Sequence, residues 1–160
     1  MEQQAQELFD GFVSVIEDLI SVAGDIAQVE EDKAEAASLK RHELLNGYIQ
    51  KEQAQILKLR GLEQRRMNLL KELGWESLTF RQILEKASPD RVSRLQPLFF
   101  DLENQLGRLA KARQASEHII GVRLHELQTL IALQEGGSYD NSGSVNPNTP
   151  LHSKFRGTYV

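Results

Sequence analysis

Apolar side chains recur at alternating steps of three and four along residues 88–135: Val92, Leu95, Phe99, Leu102, Leu106, Leu109, then Ile120, Leu127 and Leu130. The polar interval at Arg113 and Ser116 keeps the same phase. An apolar residue every 3.5 positions draws one stripe along an α-helix, and a partner helix must cover it. Ser88 and Pro89 open this helix as N-cap and first helical residue, and Asp90 suits the positive end of its dipole. Gly136-Gly137 closes it. The spacing therefore predicts a last helix over 89–135, about 47 residues and roughly 70 Å long, along which the other helices lie.

The same periodicity predicts a first helix over 4–46. Leu8, Phe12, Val15, Leu19, Val22, Ile26 and Val29 form one stripe, and Phe9, Val13, Ile16 and Ile20 form a second beside it. Two adjacent stripes make a face too broad for one partner, so this helix should contact at least two elements. Past Val29 the face thins, and Asn46-Gly47 supplies the expected break. A second helix follows over 48–73, with Ile49, Ile56, Leu59, Leu62, Leu69, Leu70 and Leu73 near one face and Gly74 as its terminator. Its short junction with the first implies an antiparallel pair. A connector then carries a short helix over 79–86, capped by Thr79, with Trp75, Leu78, Phe80, Ile83 and Leu84 apolar. A second helix of that length is expected to cover only the latter part of the first, leaving the connector to cover the region around Leu8 and Ile20. The predicted architecture is all-α: an elongated antiparallel three-helix bundle or coiled coil, a domain over 1–135, followed by a disordered tail over 136–160.

One end of this arrangement carries too much apolar surface. Ile119, Ile120, Val122, Leu124, Leu127, Leu130, Ile131 and Leu133 surround most of the last helix, whereas its expected neighbours are the polar end of the first helix and the start of the second. A large uncovered apolar patch marks a binding face, for a partner or for a second copy of the chain. Ile119, Ile120, Leu124, Leu127, Leu130 and Ile131 are the candidate contact residues. The tail beyond is rich in Gly, Ser, Asn and Pro, with Tyr139, Leu151, Phe155, Tyr159 and Val160 as isolated apolar anchors.

Composition narrows the chemistry. Hydrophobic residues make up 40% of the 160 but aromatics only 6%, as packed helices require. The absence of cysteine excludes disulfides, thiol catalysis and Cys-ligated zinc. The N-terminus lacks a signal-peptide pattern, and Glu17 and Asp18 interrupt the longest early apolar run, so a cytoplasmic location without membrane insertion is expected. The net charge of −4 is uneven: residues 1–35 hold ten acidic side chains and one basic, the remainder thirteen and eighteen. An acidic first helix then complements more basic neighbours. The basic cluster of Lys58, Arg60, Arg65, Arg66 and Lys71 is expected to be a solvated face, because an overall pI near 5.6 argues against nucleic acid. His42, His118, His125 and His152 have neither Glu-x-x-His nor His-Glu-x-x-His spacing, so no metal site, cofactor or catalytic residue is assigned.

The order of elements carries a resemblance. Two long helices, the segment Leu62-Glu63-Gln64-Arg65-Arg66-Met67-Asn68-Leu69-Leu70-Lys71-Glu72-Leu73-Gly74, a Leu-Thr-Phe connector helix, a last long helix and Tyr139-Asp140-Asn141-Ser142-Gly143 before a polar tail resemble the FlgN family of flagellar export chaperones. This resemblance implies a non-enzymatic chaperone of the flagellar type III export system, without cofactor. Its implied partners are the C-terminal helix-forming segments of the hook–filament junction proteins FlgK and FlgL, held by the C-terminal part of the chaperone, and the export gate. Tyr139, at the root of the tail, is a candidate gate contact; packing on the last helical turn is the alternative. A self-associating coiled-coil scaffold or homodimer is the alternative for the whole chain.

Overall fold

The computed structural model describes residues 1–134. Those residues are all-helical, with no strand among them: α1 Glu2–Ser38, a 3-10 turn His42–Leu44, α2 Leu45–Leu73, α3 Phe80–Lys86 and α4 Pro89–Gln134. α1 packs against both α2 and α4, while no Cα of α2 approaches one of α4 within 8 Å. The central element is thus α1 rather than the longer α4. Its two apolar stripes are the reason: Phe9, Phe12, Val13, Val15, Ile16, Leu19, Val22 and Ile26 are all buried, on a face that two helices share.

Cross-helix contacts give the directions. Gly11 lies beside Leu69, and Lys33 bonds Glu52, so α1 and α2 run oppositely. Asp10 meets Arg94, Gly24 meets Gln105, and Ala37 meets Arg123, so α4 runs with α1. At Gly24 the approach is close, since an added Cβ would stand 3.3 Å from the Gln105 amide oxygen.

The first break differs from the sequence expectation. α1 ends at Ser38, not at 46, and Asn46 and Gly47 lie inside the first turn of α2. The chain reverses through Lys40, whose φ is +56°. The Lys40 N–H donates to the Ala37 carbonyl (3.2 Å) and the Arg41 N–H to the Ala36 carbonyl (2.8 Å), the paired bonds of a Schellman cap. Gly74, φ +76°, closes α2 in the same way, with bonds from Gly74 to Lys71 and from Trp75 to Leu70. One cap uses the residue type that tolerates positive φ and the other does not. Ala36 and Ala37 are buried, so α1 is packed up to the reversal, and the Asn46-Gly47 break goes unused inside α2. Because α1 is shorter than expected, α2 reaches back to Gly11 and covers most of it, correcting the expectation of a half-length partner.

The connector closes the N-terminal end of α1. Thr79 accepts the Gln82 N–H (3.2 Å) and the Gln82 side chain accepts the Thr79 N–H (2.9 Å), a reciprocal capping box that starts α3. Trp75, Phe80 and Ile83 are buried. Phe12 meets Trp75 edge-on at 5.8 Å and Phe99 at 6.2 Å, and Phe80 stacks on Phe99 at 4.2 Å. Arg91 and Arg94 cover the outer face of Phe9, 4.8 and 5.2 Å from its ring centre.

The position of the reversal can be checked by two substitutions. Lys40→Gly relieves the positive-φ residue and is expected to stabilise by up to about 1 kcal/mol. Gly47→Ala, with nothing within 4 Å of its new methyl group, should stabilise by about 0.5–1 kcal/mol as a helical position. Urea unfolding measures both; a loss of stability in Gly47→Ala would return the break to residues 46–47.

Candidate functional site

The interface of α4 with the rest of the bundle changes character along its length. Leu95, Phe99 and Leu102 are buried in the apolar core. Farther on, polar contacts join the apolar ones of Leu106 and Leu109: Arg108 bonds both carboxylate oxygens of Glu31 at 2.9 Å and the Gln28 amide oxygen at 3.1 Å. Next comes a buried cluster. Glu30, Glu52 and Ser116, one from each long helix, are almost wholly covered, with Lys33 between the two carboxyl groups at 3.2 Å from Glu30 and 2.7 Å from Glu52. Ser116 Oγ hydrogen-bonds Glu30 Oε2 and also lies 3.1 Å from the Arg113 carbonyl oxygen. Its single proton serves one of these acceptors at a time, whereas a proton on Glu30 lets both bonds form together.

Electrostatics point the same way. Burial, reinforced by the neighbouring Glu52 carboxyl, pushes the Glu30 carboxyl above its ordinary value. Burial acts to raise Glu52 too, but hydrogen bonds from Glu30 and Lys33, with the charges of Lys33 and Arg113, hold it below the usual range. Within the pair the proton is therefore favoured on Glu30 and the negative charge on Glu52, beside Lys33.

Past this cluster, Arg123 makes the last hydrogen bonds from α4 to another helix. Its guanidinium donates from Nε to the Ala37 carbonyl and from Nη2 to the Ser38 carbonyl, both at 3.0 Å, while Nη1 donates to Glu126 at 2.9 and 3.1 Å. A cation here bonds the Ser38 carbonyl and shares the Ala37 carbonyl with the Lys40 N–H, and it suits the negative end of the α1 dipole. α1 stops there, and α4 continues for residues 124–134, about 16 Å.

That overhang holds most of the candidate contact residues. Leu124, Leu127, Leu130 and Ile131 are between 43% and 56% exposed, and Leu133 is 73% exposed. Ile119 and Ile120, at its base, are half-buried. The uncovered apolar surface is present, and the reason is sharper than a thin neighbouring face: α1 has ended. Leu127 and Leu130 continue the stripe of Phe99, Leu102, Leu106, Leu109, Ser116 and Arg123, so they point into the space that a longer α1 would have filled. Tyr139, the candidate gate contact, lies outside the described residues.

Two functional-looking groups escaped the sequence reading. Glu30 continues the second stripe of α1, after Phe9, Val13, Ile16, Ile20, Ala23 and Ala27, and Glu52 lies on the inner face of α2, so helical phase places both inside while their charge conceals it. Ser116 likewise keeps the phase of the α4 stripe. Arg66 was expected on a solvated basic face but is 3% exposed, with Nε and Nη2 on the two oxygens of Glu63 at 2.9 and 3.2 Å. The 52–59–66–73 spacing places it on the inner face of α2, a phase that its charge concealed. The acidity of α1 is partly met by α4, through Asp10–Arg94 and Glu31–Arg108.

Among the described residues no three His, Asp or Glu side chains come together as a metal site, and no helix is long and apolar enough to cross a membrane. Comparison with protein-family models, characterised proteins and solved structures finds no match for the chain.

The opposed shifts of the buried pair have a measurable consequence. A raised Glu30 contributes stability that is full below the ordinary glutamic acid value of about 4.5 and is lost as pH rises through its folded value. Glu52 contributes in the opposite sense, above the ordinary value, losing its part as pH falls through its lowered folded value. Urea unfolding of the wild type should therefore show a decline with pH from about 4.5 upward that Glu30→Gln lacks. Parallel curves for the two proteins would mean that Glu30 is ionised in the fold.

Proposed function

We propose that the chain is a cytoplasmic, non-enzymatic export chaperone of the flagellar type III system, similar to the FlgN family. It acts as an elongated antiparallel three-helix bundle over 1–135 with a flexible tail. Its clients are the C-terminal amphipathic segments of FlgK and FlgL, which it keeps unassembled and passes to the export gate. The observation that carries this reading is the exposed apolar end of α4, aligned with the bundle-facing stripe but without a neighbour. An amphipathic client helix would bury its apolar face there, the helix-in-groove mode of recognition. While so buried, the client cannot polymerise. The reading uses no nucleotide, metal or other cofactor, so release depends on competition at the gate.

The direct test is calorimetry of the full chain against a synthetic C-terminal segment of FlgK from the same organism. One-to-one binding is expected, with loss of at least tenfold in affinity, about 1.4 kcal/mol, in Leu127→Asp/Ile131→Asp. Both positions are exposed, so helicity by circular dichroism should be unchanged. A folded wild type that binds neither FlgK nor FlgL segments, but whose mass in sedimentation doubles with concentration, would assign the face to self-association instead.

A further inference from the structure

We propose that the overhang of α4 and the α1–α2 turn form the wall and floor of one notch, and that its occupant is an amphipathic helix of about three turns whose acidic end seats on the turn. This rests on the client-binding reading above and adds the size and polarity of the bound segment.

The wall is the apolar line of Leu124, Leu127 and Ile131, about half exposed. The floor has its own uncovered apolar side chains: Leu39 is 54% exposed, Leu44 41% and Ile49 40%. Ile49 lies on the same face of α2 as Glu52 and Ile56, one turn closer to the reversal, and is uncovered there. Wall and floor meet at Arg123, which ties α4 to the last carbonyls of α1. The overhang of residues 124–134 sets the length of the occupant, and the floor stops it at one end. A helix seated there continues the line of α1.

Charge gives the polarity. Lys40, Arg41 and His42 stand together on the floor with Glu43 after them, all exposed, so the turn keeps a net positive charge. Lys40 and Arg41 make no ion pair among the described residues. Arg123 is already engaged by Glu126, whose carboxyl it holds below the ordinary range by hydrogen bonding, with Lys40 close enough to add its charge. The overhang itself brings only His125 and Glu126. An incoming helix with acidic residues at its floor end therefore finds Lys40 and Arg41, neither of them in an ion pair, whereas a basic end meets like charge.

Calorimetry of the full chain against two synthetic helical peptides decides the matter. Both carry the same Leu stripe over three turns, one with two Glu and the other with two Lys at the same end. The acidic peptide should bind about five- to tenfold more tightly, as two rim ion pairs allow, and added salt should narrow the gap. Lys40→Glu/Arg41→Glu should reverse the order. Equal affinities in wild type and variant would overturn the polarity, even where the FlgK segment binds and Leu127→Asp/Ile131→Asp abolishes it, which leaves the function standing. Binding of neither the peptides nor the FlgK segment would remove both readings, and a dimer burying the notch would replace its occupant with a second copy.

Discussion

The structure depends on the need to cover α1 on two sides. A helix with one apolar stripe is satisfied by one neighbour; α1 has two, and exposing either would leave several large side chains in water at about 1.5–3 kcal/mol each. α2 takes one flank and α4 the other, and neither backbone comes near the other. The aromatic cluster of Phe12, Trp75, Phe80 and Phe99 then closes the N-terminal end, drawing the connector into the core. Loss of α1 packing would leave α2 and α4 with no common partner.

Away from that cluster the bundle is held differently. The apolar core gives way to Glu30, Lys33, Glu52 and Ser116, where all three long helices exchange hydrogen bonds. Such a cluster adds little net stability compared with an apolar core, because desolvating its charges offsets much of their attraction. Its geometry is directional, however, and a shift of α4 by one turn would break it. Together with the Arg123 cap on α1, it fixes where the supported part of α4 ends and the unsupported part begins. Anchoring and exposure are thus set by neighbouring residues of one helix.

That division links the fold to the proposed role. A chaperone of this kind needs apolar surface ready for a client, on a scaffold that does not collapse onto it. A bundle in which α1 stops short of the end of α4 provides this, since the remaining stripe keeps its helical phase but lacks anything to pack against. The basic turn at the foot of the overhang restricts what can dock there by charge as well as by shape.

Periodicity alone settled the all-helical class, the two-sided demand of α1, the Thr79 cap, the Gly74 terminator and the apolar excess on α4, because each is a property of residues within one or two helical turns. Three features needed the tertiary structure. The first reversal falls at Lys40, directly after the buried Ala36 and Ala37, and Asn46-Gly47 is taken into α2 despite its preference for a break. The burial of Glu30, Glu52 and Arg66 depends on partners far along the chain or on helical phase that their charge disguised. The overhang, finally, is a difference between the lengths of two helices that meet in space; it follows from where α1 stops against α4, which no local pattern encodes.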